Sequence, residues 1–159
     1  MQTIGLFHLA IKTVDLDATV KFYSEVLGLT LAPRPDFGFP GAWLALGDGT
    51  AIIHVYAGSP ALVDGKAPDG TGAVDHLSLM VRGWDECLAR VQATGREWRA
   101  QIVPGTNLWQ LFVHDPSGLL LELTFDGDKE GRPRPEIANE RRYMSGKQFV
   151  SVTRMKEPT

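Results

Sequence analysis

His8-Leu9-Ala10-Ile11 is answered 68 residues later by His76-Leu77-Ser78-Leu79. At the same offset, Gly49-Thr50-Ala51-Ile52-Ile53-His54-Val55 is answered by Ser117-Gly118-Leu119-Leu120-Leu121-Glu122-Leu123. Within each copy the two polar residues stand 46 apart, His8 to His54 and His76 to Glu122. A turn-forming cluster precedes each closing run, Gly47-Asp48-Gly49 in one and Asp115-Pro116-Ser117-Gly118 in the other. A repeat this long is not that of a solenoid, and it reads as a duplicated supersecondary module. Two such modules can bring four side chains to one metal ion.

The intervening patterns define the module. Ile4 to Ile11 alternates with period two, as a strand does. Asp15 is a suitable N-cap, and Leu16, Val20, Tyr23 and Leu27 recur at helical spacing. Gly28 can close that helix in the left-handed conformation. Short strands are predicted near Thr30–Ala32, Trp43–Leu46 and Ala51–Tyr56. The second copy restarts with Val74–Val81. Trp84, Leu88 and Val91 mark its helix and Gly95 the helix end, and strands follow near Glu97–Ala100, Leu108–His114 and Leu119–Phe125. The expected architecture is α+β, with two tandem βαβββ modules forming a curved mixed sheet or barrel around a metal site. The modules span 4–56 and 74–125 within a domain of residues 1–126, joined by the Gly/Pro-rich linker 57–73. All four candidate ligands are placed on strands.

The polar stretch 127–159 reads as a C-terminal extension. Its Tyr143, Met144, Phe149, Val150 and Val152 either belong to a loosely ordered end or pack on a partner subunit. Open sheet edges that need covering, together with this tail, predict a homodimer.

Bulk properties narrow the function. With 159 residues the chain can bury a single core, and a net charge of −3 leaves no basic footprint for nucleic acid. No apolar run approaches a membrane span, and the N-terminus lacks a secretory pattern. Cys87 is the only cysteine, so no disulfide framework is expected and the cytoplasm is the expected compartment.

The local motifs carry a family resemblance. Phe22-Tyr23-Ser24-Glu25-Val26-Leu27-Gly28 resembles the Phe-Tyr-x-x-x-Leu-Gly helix motif of the vicinal oxygen chelate superfamily. His114-Asp115-Pro116-Ser117-Gly118 followed by Glu122 resembles its Asp-Pro-x-Gly-x-x-x-Glu ending. That superfamily includes glyoxalase I, epimerases, fosfomycin-resistance enzymes, extradiol dioxygenases and metal-free bleomycin-binding proteins. The resemblance implies one divalent ion per site (Fe, Mn, Ni or Zn) on His8, His76, Glu122 and His54, and a small-molecule substrate chelated through adjacent oxygens. Imidazole and carboxylate suit these metals on chemical grounds as well. A carboxylate such as Glu122 among leucines is expensive to bury without a cation.

Three readings follow. Three His and one carboxylate favour dioxygenase-type chemistry. The position of a glyoxalase-like Glu is occupied by His54, which can act as catalytic base only if it is not tied to the metal. The alternative is a lyase or isomerase of the glyoxalase or epimerase kind. Against catechol cleavage, Phe112 stands where the dioxygenases resemble a Tyr, ten residues before the Glu. The third reading is a metal-free module binding a small aromatic compound. Arg34, Phe37, Trp43, Tyr56, Trp109 and Phe112 are the candidates to line the substrate site, with Arg34 suited to a carboxylate. His114 falls outside the repeat and is read as structural.

Overall fold

The computed structural model describes residues 1–2, 5–66, 68–70 and 74–145. It divides into two units, Met1–Pro68 and Asp69–Thr159, one for each copy of the repeat. The first unit runs β1 (Leu9–Lys12), α1 (Leu16–Leu27), β2 (Thr30–Ala32), β3 (Gly41–Ala45) and β4 (Ala51–Tyr56). The second runs β5 (Leu77–Val81), α2 (Trp84–Ala93), β6 (Trp98–Ile102), β7 (Leu108–His114) and β8 (Leu120–Asp126). Each is the expected βαβββ module. The sheet orders are β1-β4-β3-β2 and β5-β8-β7-β6. In both, the first strand pairs parallel with the last and the other pairs are antiparallel. The sheets are open and curved, not closed barrels.

Local chemistry sets the helices. The Asp15 Oδ1 accepts from the Ala18 N–H at 2.9 Å and caps α1. Gly28 closes α1 at φ 68°, with its N–H on the Ser24 carbonyl. Phe22, Tyr23 and Val26 form its buried stripe, and Leu44, Ile53 and Val55 are buried on the sheet. Helix α2 has no capping side chain at Gly83. Instead the Glu130 carboxylate accepts from the Gly83 and Trp84 N–H groups, at 3.1 and 2.7 Å. Trp84 of α2 packs edge-on against Trp109 and Phe125, and Leu111, Val113, Leu121 and Leu123 of the same sheet are fully buried.

Strict alternation gives each sheet a second face. In the first unit, Ala10 and Trp43 flank His54 in register. In the second, Ser78 and Phe112 flank Glu122 in register. The side chains of one register row point to one side, so each row is the floor of a half-site.

Two expectations about the strands are corrected. Strand β1 begins at Leu9, not Ile4, and β5 at Leu77, not Val74. Each is an edge strand with one partner, and ladder pairing begins where β4 or β8 supplies it. Residue Ile4 itself lies outside the described residues. His8 and His76 therefore each stand one residue before a strand, while His54 and Glu122 lie within strands.

The first part of the C-terminal extension docks on its own second unit. The Tyr143 N–H donates to the Ala100 carbonyl at 2.8 Å, and Arg142 bridges Ala100 in parallel. Arg132 pairs with Asp85. The Arg141 guanidinium lies 4.7 Å over the Trp98 ring. Phe149, Val150 and Val152 lie outside the described residues. Among the described residues, no helix is long and apolar enough to cross a membrane.

Candidate functional site

The first half-site is a stack of three rings. The His54 imidazole lies between His8 (centroids 3.8 Å apart, planes 17°) and Trp43 (4.4 Å, 13°). His54 is 8% exposed, and burial, reinforced by the charge on His8, holds its pKa below the ordinary histidine value. It is therefore a neutral proton acceptor at neutral pH. The Nδ1 of His8 is buried with no hydrogen-bond partner. A buried nitrogen in that state calls for a missing partner, such as a cation on its lone pair.

The stacking separates the roles of the two imidazoles. A metal bonds a histidine nitrogen in the plane of the ring, about 2.0–2.1 Å away. Two rings 3.8 Å apart and nearly parallel have no common point in both planes within that reach. One ion can take His8 or His54 in this arrangement, but not both.

The second half-site is a carboxylate–imidazole pair. The His76 Nε2 stands 3.3 Å from Glu122 Oε2, and its Nδ1 lies 2.7 Å from the Asp75 carboxylate. With its proton on Nδ1, donated to Asp75, a neutral His76 ring turns its Nε2 lone pair towards Glu122. A lone pair and a carboxylate oxygen at that separation are held together by a shared proton or a cation. A carboxylate on the far nitrogen is the usual orienting partner of a ligating histidine. The other oxygen, Glu122 Oε1, accepts from Ser78 at 2.7 Å and from Thr124 at 3.0 Å. Glu122 is 8% exposed, and these two donors compensate only half of its carboxylate. The donor set in both half-sites thus fits a divalent metal. Among the described residues, no group of three or more His, Cys, Asp or Glu side chains is gathered at metal-binding distances; the candidate ligands of each unit form a pair.

The lining candidates divide. Trp43 and Tyr56 lie on the first unit's half-site face, with Phe39 edge-on to Tyr56 at 5.3 Å and Phe37 6.2 Å from Trp43. Phe112 lies on the Glu122 face, edge-on to His76 at 6.3 Å, and is covered by Tyr143. Trp109 is corrected. It pairs with Phe125 on the helix side, packs edge-on against Trp84, and bonds its indole N–H to Asn107. Its odd-numbered place in β7 puts it opposite to Phe112's face in direction, three residues away. His114 ends β7, half-buried and in register with Leu120, two positions from the Phe112–Glu122 row.

From the sequence, Asp75, Ser78 and Thr124 are not named as site residues, and Tyr143 is named only as a packing residue of the extension. Asp75 precedes His76 directly, and Ser78 and Thr124 follow the period-two rule on the faces of His76 and Glu122. Those signals were present. Tyr143 had only its apolar character within a polar tail.

The family model of the Glyoxalase/Bleomycin resistance protein/Dioxygenase superfamily matches residues 5–123. The chain belongs to this superfamily. It is 29% identical over 122 residues to a lactoylglutathione lyase of Haemophilus influenzae, covering 74% of this chain and 89% of that protein. It is 28% identical over 129 residues to Glyoxylase I 4 of Arabidopsis thaliana, covering 77% and 71%. Among solved structures, a glyoxylase/bleomycin resistance protein/dioxygenase domain from Frankia shares the fold. It superposes with a TM-score of 0.61 at 22% identity, over 79% of this chain and 99% of that one.

Proposed function

We propose that the protein is a metal-dependent lyase of the glyoxalase type, isomerising a hemithioacetal to a 2-hydroxyacyl thioester. The observation that carries this reading is the His8–His54 stack. The objection to an isomerase was the absence of a free base, and a His54 ring that cannot share its neighbour's metal is free to be one. The relatives named for lyase chemistry support the same choice, which replaces the dioxygenase reading favoured by the sequence. Phe112 in place of a hydroxyl-bearing residue points the same way.

In this account His8, His76 and Glu122 hold the ion and His54 moves the proton. A bound divalent ion supplies Lewis-acid polarisation of two adjacent substrate oxygens. Asp75 keeps the His76 ring in its ligating tautomer. Ser78 and Thr124 fix Glu122 Oε1, which leaves Oε2 as the ligating atom. His54 takes the proton from the sulfur-bearing carbon and returns it to the neighbouring carbon. The two oxygens exchange carbonyl and hydroxyl character, and nothing is oxidised overall. The lowered His54 pKa keeps the ring unprotonated, ready to accept. Trp43 and Tyr56 line the approach. Each ligand pair needs its counterpart from the other type of module, and a cytoplasmic homodimer is the assembly we propose.

The test is thioester formation from methylglyoxal and glutathione by protein loaded in turn with iron, manganese, nickel and zinc. His54→Gln should keep the metal and lose at least about 100-fold in turnover, the usual range for a general base. Oxygen uptake on catechols with no thioester formation would replace this reading by the dioxygenase one. Loss of metal in His54→Gln would make His54 a ligand.

A further inference from the structure

Arg34 in the first unit has buried donors that are left unmet. It lies in the loop between β2 and β3. Its guanidinium Nε and Nη2 are buried and have no hydrogen-bond partner. Its Cζ sits 4.9 Å from the Phe37 ring centroid and 4.8 Å from that of Phe39. Aromatic faces stabilise the cation but accept none of its N–H donors in the plane of the group. A side chain that always carries charge, with desolvated donors unmet, costs stability unless an anion completes it.

The position of this cation matters. Gly41 opens β3 in register with Tyr56, two residues before Trp43, which is the register partner of His54. A Cβ at Gly41 would meet the Val55 carbonyl oxygen first, and then Arg34 Nη2 and Cζ at 3.1 and 3.2 Å. The guanidinium thus packs directly against the Gly41 backbone, and the two rings it lies on, Phe37 and Phe39, stand 6.2 Å from Trp43 and 5.3 Å from Tyr56, on the face that bears His54. Phe37, which lies against the guanidinium, is 52% exposed, so this position is close to solvent. The planar fork of an arginine matches a carboxylate in bidentate fashion.

We infer that Arg34 is an anion subsite, receiving a carboxylate carried by the substrate on the His54 face of the first module. The inference rests on the proposed function only in taking the reacting oxygens to lie beside His54. It makes the natural substrate an acid whose carboxylate is remote from the carbons that react.

Two arms test it. In the first, binding of S-methylglutathione and of its dimethyl ester is followed by equilibrium dialysis with the wild type, Arg34→Gln and Arg34→Lys. Losing charge-assisted hydrogen bonds worth about 1.5–3 kcal/mol corresponds to roughly 10–100-fold in affinity. Arg34→Gln should show that loss for the acid and a far smaller one for the ester, with Arg34→Lys between. An equal effect on acid and ester would overturn the subsite, because a merely structural arginine does not read the ligand's charge. Arg34→Lys keeps the charge and decides the matter if Arg34→Gln does not fold. Inorganic phosphate binding more tightly than the acid, through Arg34, would overturn the assignment to a substrate carboxylate. In the second arm, hemithioacetals of methylglyoxal with glutathione and with uncharged 2-mercaptoethanol are turned over by the metal-loaded enzyme. Arg34→Gln should raise KM for the first with kcat little changed. Turnover with KM unmoved would remove the subsite and leave the lyase reading standing. Charge-selective binding without turnover of either adduct would remove the lyase reading and leave the subsite.

Discussion

The ring of Tyr143 lies face to face on that of Phe112, with centroids 3.6 Å apart and planes 8° apart. Phe112 is the register partner of Glu122 and has no exposed surface. The C-terminal extension thus covers the register neighbour of the Glu122 carboxylate. Burial and the nearby Asp75 and Glu122 carboxylates raise the Tyr143 pKa above the ordinary phenol value, so it stays neutral there. Tyr143→Ala should destabilise the protein by about 1 kcal/mol for the lost stack, plus the lost burial, whereas Tyr143→Phe keeps most of both. Urea titrations of the three proteins read this directly. Equal midpoints for wild type and Tyr143→Ala would show that the extension is not seated on Phe112.

The cap of α2 is borrowed from the extension. Glu130 accepts from both Gly83 and Trp84 where no side chain at the N-cap does. Glu130→Ala should cost about 1 kcal/mol, comparable to removing an ordinary N-cap, and Glu130→Gln should recover part of it. Asp15→Ala in α1 is the internal comparison, and thermal unfolding is the measurement.

The His54 environment sets the sign of a pH effect. Its folded pKa is held below the unfolded value of 6.5 by burial first and by His8 second. The unfolded chain therefore takes up the proton more readily than the folded one. Stability from this source is complete above about pH 6.5 and declines as the pH falls below it. Metal-free wild type should lose more stability than His54→Gln between pH 7.5 and 5.5 (the range spanning roughly the ordinary histidine value). An identical decline in both proteins would show that His54 does not feel this environment.

The repeat makes the fold legible. The offset between His8 and His76, and between His54 and Glu122, marks the two βαβββ modules and puts His54 and Glu122 at equivalent places in β4 and β8. Strand-end positions were less legible, because Ile4 and Val74 carry strand-like residues upstream of the point where β4 and β8 supply a partner. Trp109 was misplaced because an aromatic reads alike on both faces of a strand until the register with Phe125 is known. Tyr143 reads as a residue that packs, but its partner Phe112 is not legible, since the contact is made across a polar tail with no periodicity. The near-parallel stack of His8 on His54 is equally absent from the sequence, being a matter of ring planes rather than spacing.

The central claim is that His8, His76 and Glu122 hold the metal while His54 moves the proton. Elemental analysis and turnover measured together on four variants, His8→Ala, His54→Gln, His76→Ala and Glu122→Gln, test it most directly. The account predicts that three variants lose stoichiometric metal and activity together, and that His54→Gln alone retains about one ion per site with turnover reduced at least roughly 100-fold. Full metal occupancy in Glu122→Gln and His76→Ala, or metal loss in His54→Gln with the other three intact, would contradict it.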